Sequence, residues 1–288
     1  MLLLKNRYLE ATTTLLGCQN QGEALLTALG NRPEGSFDLY GIGESGIHCS
    51  LLLLINTGST VTCIASPAKS EAEKSHTSDL ISEALNSPRI RNIQFAQTIL
   101  RPSDHSLAQT FTDAGFTKLA LLDFLEQRRP AKKVRIPKGL AFASITSKND
   151  TKLGELLEAT YVGSLDCPKI HGLRPVQNII EGHRGEDPTI SQVWCIAELE
   201  SEAVGVILLN ANQKQRAVEL AYFGLLPNWR GKGFADPCMQ YIANQTEHLG
   251  FSTVTLAVDA DNYPAQKLYK KWNFRKTKQR LTLIQKLL

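Results

Sequence analysis

Cysteine patterns that would indicate a disulfide framework or a zinc site are absent from the sequence. The 288 residues include six cysteines, and their positions show neither Cys-x-x-Cys pairs nor the spacing of Cys/His metal ligands. Scattered cysteines of this kind are typical of reduced thiols that pack as small apolar side chains. We therefore expect neither disulfides nor a bound metal.

Long apolar runs are also missing. No segment approaches the roughly 20 apolar residues of a membrane-spanning helix, and the opening segment Met1–Lys5 has too few apolar residues for the core of a signal peptide. Hydrophobic residues make up 42% of the chain and charged residues 21%, which are globular values. We expect a cytoplasmic protein that does not enter membranes, with one large domain or two of ordinary size.

A strong excess of positive charge, as in nucleic-acid-binding proteins, is lacking. Residues 1–129 carry 11 Lys and Arg against 13 Asp and Glu, a balance of −2, and residues 130–288 carry 21 against 15, a balance of +6. The second balance is too small to indicate nucleic acid. A positive balance is expected if the ligand carries several phosphates, and chance variation of the surface charge is the alternative explanation.

A glycine loop with basic residues stands out in the second half. An apolar strand ends at Pro227, Arg230-Gly231-Lys232-Gly233 follows, and a helix begins near Ala235. The glycines allow positive φ and close approach of a ligand, and the helix N-terminus favours phosphate. The spacing is neither that of a Rossmann loop nor that of a Walker loop. By itself the loop could also be an ordinary strand–helix turn.

A second motif follows an alternating strand that includes Val254, Leu256 and Val258. Together the two motifs resemble those of the GNAT acyltransferase superfamily, through Arg230-x-x-Gly233-x-Ala235 and Asn262-x-x-Ala265-x-x-Leu268-Tyr269, with Phe274 at the end. The resemblance implies that the loop holds the pyrophosphate of an acyl-CoA and that acetyl-CoA is the co-substrate.

The resemblance also implies a role for individual residues. Backbone groups of Phe223, Gly224 and Leu225 would face the pantetheine and the acyl carbonyl, and Asn262 and Ala265 would flank the pantetheine. Tyr269 would protonate the departing sulfur, although it could instead be a core aromatic residue. The pyrophosphate would be held by N–H groups of Arg230, Gly231, Lys232, Gly233, Phe234 and Ala235.

Glu219 is the candidate general base. It lies eight residues before Pro227 in a largely apolar strand, where desolvation would raise its pKa. The Glu-to-Pro spacing is similar to that in mycothiol synthase, a tandem GNAT protein with one working half. A solvated residue at the start of a strand is the alternative.

The first half of the chain repeats the second motif. Twelve positions separate Asp104 from Phe116, as they separate Asn262 from Phe274. In this register Phe111, which lacks a hydroxyl, replaces Tyr269. The segment that corresponds to the glycine loop, residues 68–74, has no glycine and two glutamates. A strand at Lys118–Phe124 is expected to close this first copy.

We therefore predict an α/β (α+β) protein of two tandem GNAT-like domains, each with a mixed, mostly antiparallel sheet flanked by helices. Residues 1–129 would form a degenerate domain, 130–138 an exposed linker and 139–288 the catalytic domain, with Asn149-Asp150 capping a helix. Candidate substrate contacts are His171, Arg174, His183 and Arg184.

The predicted function is transfer of an acetyl group from acetyl-CoA to a small-molecule amine. A protein N-terminus or lysine as acceptor is one alternative, and a non-catalytic acyl-CoA sensor or scaffold is another. The loops that would select the acceptor follow no spacing code.

Overall fold

The computed structural model describes residues 1–43, 45–56, 59–128, 133–146, 150–184 and 190–287. The chain forms two compact units: unit 1 comprises Met1–Leu119 with Arg280–Leu288, and unit 2 comprises Ala120–Gln279. Within the described residues, no helix combines the length and the apolar character needed to span a membrane.

Unit 1 is built around a sheet with helices on both faces. Its elements in chain order are α1 (Tyr8–Leu16), α2 (Gln19–Gly30), β1 (Phe37–Ile42), β2 (Cys49–Asn56), β3 (Thr60–Ala65), α3 (Glu71–Leu85), β4 (Phe95–Leu100) and α4 (His105–Asp113), followed by the start of β5 (Thr117–Arg128). Strands β1, β2 and β3 are antiparallel neighbours, and β4 runs parallel to β3.

The run of leucines in β2 explains why helices cover both faces of this sheet. Successive side chains of a strand point to opposite faces. Leu51 and Leu53 pack in the core that α3 and α4 complete, whereas Leu52 packs in the core formed with α1 and α2. All three leucines are fully buried.

Unit 2 has the same plan. Its elements after β5 are β6 (Leu140–Ser144), α5 (Asp150–Tyr161), α6 (Val176–Arg184), β7 (Ile190–Leu199), β8 (Glu202–Asn212), β9 (Ala217–Leu225), α7 (Ala235–His248), β10 (Thr253–Asp259), α8 (Tyr263–Lys271) and the start of β11 (Arg275–Lys286). Strands β6 to β9 are antiparallel neighbours and β10 is parallel to β9. Helices α7 and α8 cover one face and α5 and α6 the other.

The repeated motif has the same local structure in both units. Helices α4 and α8 each span nine residues. Each is followed by a residue with positive φ, Gly115 at 94° and Asn273 at 61°. The next residue, Phe116 or Phe274, then donates its N–H to the residue five positions earlier. The duplication of this motif that the sequence predicts is confirmed.

Most of β5, which follows the first copy of the motif, belongs to unit 2. The end of β11, which follows the second copy, belongs to unit 1. Residues 122–128 of β5 pair antiparallel with β10, and residues 281–286 of β11 pair antiparallel with β4. The expectation that the strand at Lys118–Phe124 closes the first unit is therefore wrong, because β5 belongs to unit 2 from Ala120 onward. The domain limits 1–129 and 139–288 follow the sequence duplication and stay a prediction.

The predicted linker is only partly described, because residues 129–132 lie outside the described residues, as does the predicted helix cap Asn149. The part that follows is not fully exposed. Val134 donates its backbone N–H to Oε1 of Gln240 at 2.7 Å, and Val134 and Ile136 pack against the core of unit 2.

Candidate active site

A cavity of about 790 Å³ opens in unit 2 where two parallel strands diverge. The register of β9 and β10 joins Val218 to Val254 and Glu219 to Thr255. Beyond these pairs the cavity is lined by residues 220–225 of β9 and by Ala257 and Val258 of β10. Backbone groups at a divergence of this kind are free to bind a ligand, because the neighbouring strand no longer satisfies them.

A β-bulge shapes the wall that β9 contributes. Leu208 pairs with Tyr222 and Leu209 with Leu220, so Ala221 is the extra residue that bends the strand. The Tyr222 hydroxyl lies 2.7 Å from Oγ1 of Thr160, at the end of α5. A Cβ at Gly224 would lie 2.5 Å from that hydroxyl, so only glycine fits there.

The glycine loop has the backbone geometry that the sequence predicts. Gly231 and Gly233 have φ values of 73° and 87°, in the region that disfavours side chains. Among the residues that the structure describes, none has an atom within 4 Å of a Cβ built on either glycine. The N-cap of α7, Phe234, makes no side-chain capping hydrogen bond. The N-terminus of α7 and Gly231 thus offer an open cradle beside the cavity, which suits a phosphate.

The guanidinium of Arg230 is engaged by the backbone. It donates to the carbonyl oxygens of Thr160 at 2.6 Å, Val162 at 2.7 Å and Leu225 at 3.0 Å. These bonds join the C-terminus of α5 to the end of β9. The positive charge also complements the C-terminal end of the α5 dipole.

Two residues near the end of α8 hold the first turn of α7. Trp272 donates from Nε1 to Oδ1 of Asp236 at 2.8 Å, and Lys271 forms an ion pair with the same carboxylate. Lys267 and Lys271 both line the cavity. The sequence analysis does not identify these two lysines. Their spacing of four residues, which places them on the same face of a helix, could have indicated them.

Helix α8 brings Asn262 and Tyr269 to the cavity. Asn262 caps the helix by accepting the N–H of Ala265 at 3.3 Å. Tyr269 is 7% exposed and packs against Phe274, with 5.4 Å between ring centroids. Burial raises the pKa of Tyr269, and the nearby Asp166 adds to this shift. The phenol is therefore protonated at neutral pH.

Asp166 is a cavity-lining carboxylate that sequence reasoning missed. Its Oδ1 accepts the N–H of Asp259 at 3.1 Å, while Oδ2 of Asp259 accepts the N–H of Cys167 at 3.2 Å. Burial raises the pKa of Asp166 and outweighs the hydrogen bond from the Asp259 N–H, which lowers it. The negative charge of Asp259 raises the pKa further, and a hydrogen bond with Asn262 lowers it. Asp166 lies in a loop between helices, where no spacing pattern marks a functional residue.

Glu219 lies on β9 opposite Asn210 of β8 and Thr255 of β10. Its side chain reaches solvent, yet surrounding protein atoms remove part of its hydration, and this desolvation raises its pKa. It precedes the cavity-lining residues Leu220 and Ala221 but does not itself line the cavity.

The candidate substrate contacts form a second group, near the cavity-lining Tyr222. The rings of His171 and Tyr161 stack at 4.8 Å, and the ring of His183 lies 5.7 Å from that of Tyr222. Desolvation lowers the pKa of His183 to about 4, and the positive charge of Arg174 contributes. Arg184 instead lies over Trp194, at 5.5 Å.

Most of the predicted cofactor residues line the same cavity. They are Phe223, Gly224, Leu225, Arg230, Gly231, Ala235, Asn262 and Ala265, together with Tyr269. Lys232, Gly233 and Phe234 belong to the loop but do not line the cavity, and Lys232 lies over the ring of Trp229, at 5.5 Å. The roles predicted for these residues stay predictions.

The corresponding helix end in unit 1 is closed by its own side chains. Ser70 accepts the N–H of Glu73 at 3.2 Å, and the Glu73 carboxylate accepts the N–H of Lys69 at 2.6 Å. This resembles a capping box, which occupies the donors that a phosphate would need. A carboxylate at this position would also repel an anion.

Comparisons with known proteins agree with this geometry. Residues 161–274 match the model of the acetyltransferase (GNAT) family. The chain is similar to the L-amino acid N-acetyltransferase AaaT of Escherichia coli (strain K12), with 26% identity over 111 residues, 38% of this chain and 67% of the relative. It is also similar to the uncharacterized N-acetyltransferase YycN of Bacillus subtilis (strain 168), with 28% identity, 33% of this chain and 62% of the relative. The matches thus span about two thirds of these relatives.

Solved structures extend the likeness to both units. A GCN5-related N-acetyltransferase from Sphaerobacter thermophilus has a TM-score of 0.63 at 15% identity, over 98% of this chain and 91% of that chain. A tandem GNAT protein from the clavulanic acid biosynthesis pathway has a TM-score of 0.58 at 11% identity, over 100% of this chain and 98% of that chain. Residues 161–274 therefore match the GNAT acetyltransferase family, and the chain has the fold of tandem GNAT proteins. It is an N-acetyltransferase whose co-substrate is acetyl-CoA.

Proposed function

We propose that unit 2 transfers the acetyl group of acetyl-CoA to the amino group of a small molecule. The observation that carries this proposal is the cavity in which Tyr269, Asn262 and the open N-terminus of α7 meet. The cradle at Gly231 holds the pyrophosphate, and the diverging edge of β9 holds the pantetheine. The relative AaaT, named as an L-amino acid N-acetyltransferase, supports an acceptor with a small-molecule amino group.

The reaction needs a base, a donor for the developing oxyanion and an acid. Glu219 removes a proton from the acceptor ammonium through a water molecule, and its raised pKa brings it closer to the neutral range in which a base works. The amine nitrogen attacks the thioester carbonyl, and a backbone N–H of β9 stabilises the oxyanion. As the C–S bond breaks, the Tyr269 hydroxyl gives its proton to the sulfur.

Asp166 is the residue that supports the acid in this scheme. Its carboxylate, when ionised, disfavours the phenolate form of Tyr269 and so keeps the phenol protonated. Through Asn262 it also fixes the start of α8. Asp166 is accordingly a positioning residue rather than one that exchanges a proton with the acceptor.

The test is release of CoA thiol by the full chain with acetyl-CoA and a panel of acceptors. The panel contains free amino acids, other small amines and peptides with a free N-terminus or a lysine, and mass spectrometry identifies the acetylated product. We expect turnover with a small amine. Turnover confined to peptides would contradict the proposed acceptor class, and tight binding of acetyl-CoA without transfer to any acceptor would favour a sensor.

A further inference from the structure

Unit 1 contains a cluster of two histidines and a cysteine that the acetyl-transfer reaction does not use. His48 and Cys49 lie at the start of β2, and His76 lies on α3. One ligand atom from each residue lies within 4.8 Å of the other two. The two imidazole rings are 5.6 Å apart between centroids, tilted by 57°. Both histidines are exposed, whereas Cys49 is 1% exposed.

The fold of unit 1 creates this cluster from residues 27 positions apart in the sequence. Helix α3 follows β3 and packs over β2, which places Cys49 beneath the first turns of the helix. Sγ of Cys49 lies 3.6 Å from the carbonyl oxygen of Glu73. The Thr77 hydroxyl donates to the same carbonyl at 2.8 Å and also interacts with the thiol. His76, between Glu73 and Thr77, is thereby held on the turn that covers the sulfur.

We propose that His48, Cys49 and His76 bind a zinc-like divalent metal ion, with a water molecule completing a tetrahedral set. Two imidazoles and one thiolate form a donor set that suits zinc. With Zn–S near 2.3 Å and Zn–N near 2.1 Å, tetrahedral ligand atoms lie roughly 3.3–3.6 Å apart. The cluster reaches this separation if the exposed imidazoles rotate inward by about 1 Å, which their solvent position permits.

Binding has a defined proton balance. The Cys49 thiol loses its proton to solvent as the sulfur–metal bond forms, and the imidazoles bind through unprotonated nitrogens. On binding, the Thr77 hydroxyl can rotate away from the Glu73 carbonyl and donate to the thiolate, as outer groups around metal ligands commonly do. The metal would tie the start of β2 to α3, in the unit whose phosphate cradle is closed by Ser70 and Glu73.

The experiment uses the full chain, freed of metal with a chelator and titrated with Co²⁺ as a spectroscopic substitute for Zn²⁺. We expect one cobalt per chain, with a thiolate-to-metal charge-transfer absorption that Zn²⁺ displaces. His48→Ala and His76→Ala should each weaken binding at least tenfold. Cys18→Ser and His105→Ala are matched controls, because both residues are exposed in unit 1 outside the cluster, and they should leave binding unchanged.

Thermal unfolding gives a second readout. Zn²⁺ well above its dissociation constant should raise the unfolding midpoint by several degrees, and this shift should vanish in His76→Ala. Because Cys49 is buried, Cys49→Ser could destabilise unit 1, so the exposed histidines carry the decisive comparison. Absence of a thiolate–cobalt absorption, or binding that His48→Ala and His76→Ala leave unchanged, would overturn the proposal and leave a surface histidine pair above a core cysteine.

Discussion

Arg230 donates a hydrogen bond from Nη2 to the carbonyl oxygen of Thr160 at 2.6 Å. Two further bonds, to Val162 and Leu225, use the rest of the guanidinium. A basic residue in a glycine loop would ordinarily be assigned to a phosphate. Here its side chain instead fixes the end of β9 against α5, so its contribution to the cofactor site is through the position of the loop backbone.

Arg230→Lys tests that role. Lysine keeps the charge but cannot make three bonds in a planar fork, so unit 2 should lose roughly 2–3 kcal/mol of unfolding free energy, measured by urea denaturation. Affinity for acetyl-CoA should also fall, because the glycine loop loses the bonds that hold its backbone in place. Lys232→Ala, which removes a cation from the same loop and its contact with the Trp229 ring, should cost no more than about 1 kcal/mol. Unchanged stability in Arg230→Lys would show that the three hydrogen bonds of the guanidinium are dispensable and favour a direct phosphate contact.

Tyr269→Phe tests the general acid. The variant keeps the buried ring and its contact with Phe274 but removes the only proton that the ring can give. Turnover should fall by ~10²–10⁴, while the dissociation constant for acetyl-CoA, measured by calorimetry, stays within about twofold of wild type. Tyr263→Phe is the matched control, because Tyr263 is 70% exposed at the start of the same helix. Equal turnover in wild type and Tyr269→Phe would remove the acid role.

Gly231→Glu tests the phosphate cradle. The φ of 73° costs a side chain about 1–2 kcal/mol, and the new carboxylate would repel the pyrophosphate. Binding of acetyl-CoA should be lost. Gly231→Asn, a residue that tolerates this φ, should retain most of it. Lys69→Glu places a carboxylate in the corresponding segment of unit 1 and should leave binding intact. Loss of binding in Lys69→Glu would mean that unit 1 holds the cofactor.

The fold was predictable because its signals are local and repeated. The 12-position spacing from Asp104 to Phe116 and from Asn262 to Phe274 encodes a helix, a residue with positive φ and a buried phenylalanine, all set by nearest neighbours along the chain. The glycines of the loop were predictable for the same reason. Positive φ at Gly231 and Gly233 favours glycine whatever the surrounding fold.

The remaining features depend on contacts between distant residues. The pairing of β5 with β10 and of β11 with β4 could not be predicted, because the alternating pattern of a strand does not specify its neighbour. Asp166 acquires its role only where its loop meets the end of β10. His76 joins Cys49 only through the packing of α3 on β2.

The pH dependence of turnover tests Glu219. As a base it must be ionised, and its pKa is raised from 4.5, so turnover should increase as pH rises through that higher value. Tyr269 must be protonated, and its pKa lies above the usual 10, so turnover should not fall up to about pH 9. Glu219→Gln should lower turnover and remove the acidic limb of the profile. A profile identical to that of wild type would assign the limb to the acceptor amine or to Asp166.

Stability below neutral pH tests the burial of His183. Its pKa is about 4 in the folded chain against 6.5 when unfolded, so folding favours the neutral imidazole. The unfolded chain binds the extra proton first, and the contribution of His183 to stability is therefore complete above pH 6.5 and is lost as pH falls toward 4. The loss attributable to this residue is up to about 3 kcal/mol.

The measurement compares urea unfolding of wild type and His183→Gln between pH 7 and pH 4. Carboxylates titrate over the same range in both proteins, so only the difference between them reports on His183. We expect that difference to shift in favour of His183→Gln as pH falls, because glutamine cannot take up a proton. His248→Gln, on the last turn of α7, should follow the wild-type curve. Parallel curves for wild type and His183→Gln would mean that the imidazole becomes protonated in place, with Arg174 and Tyr222 adjusting around the charge.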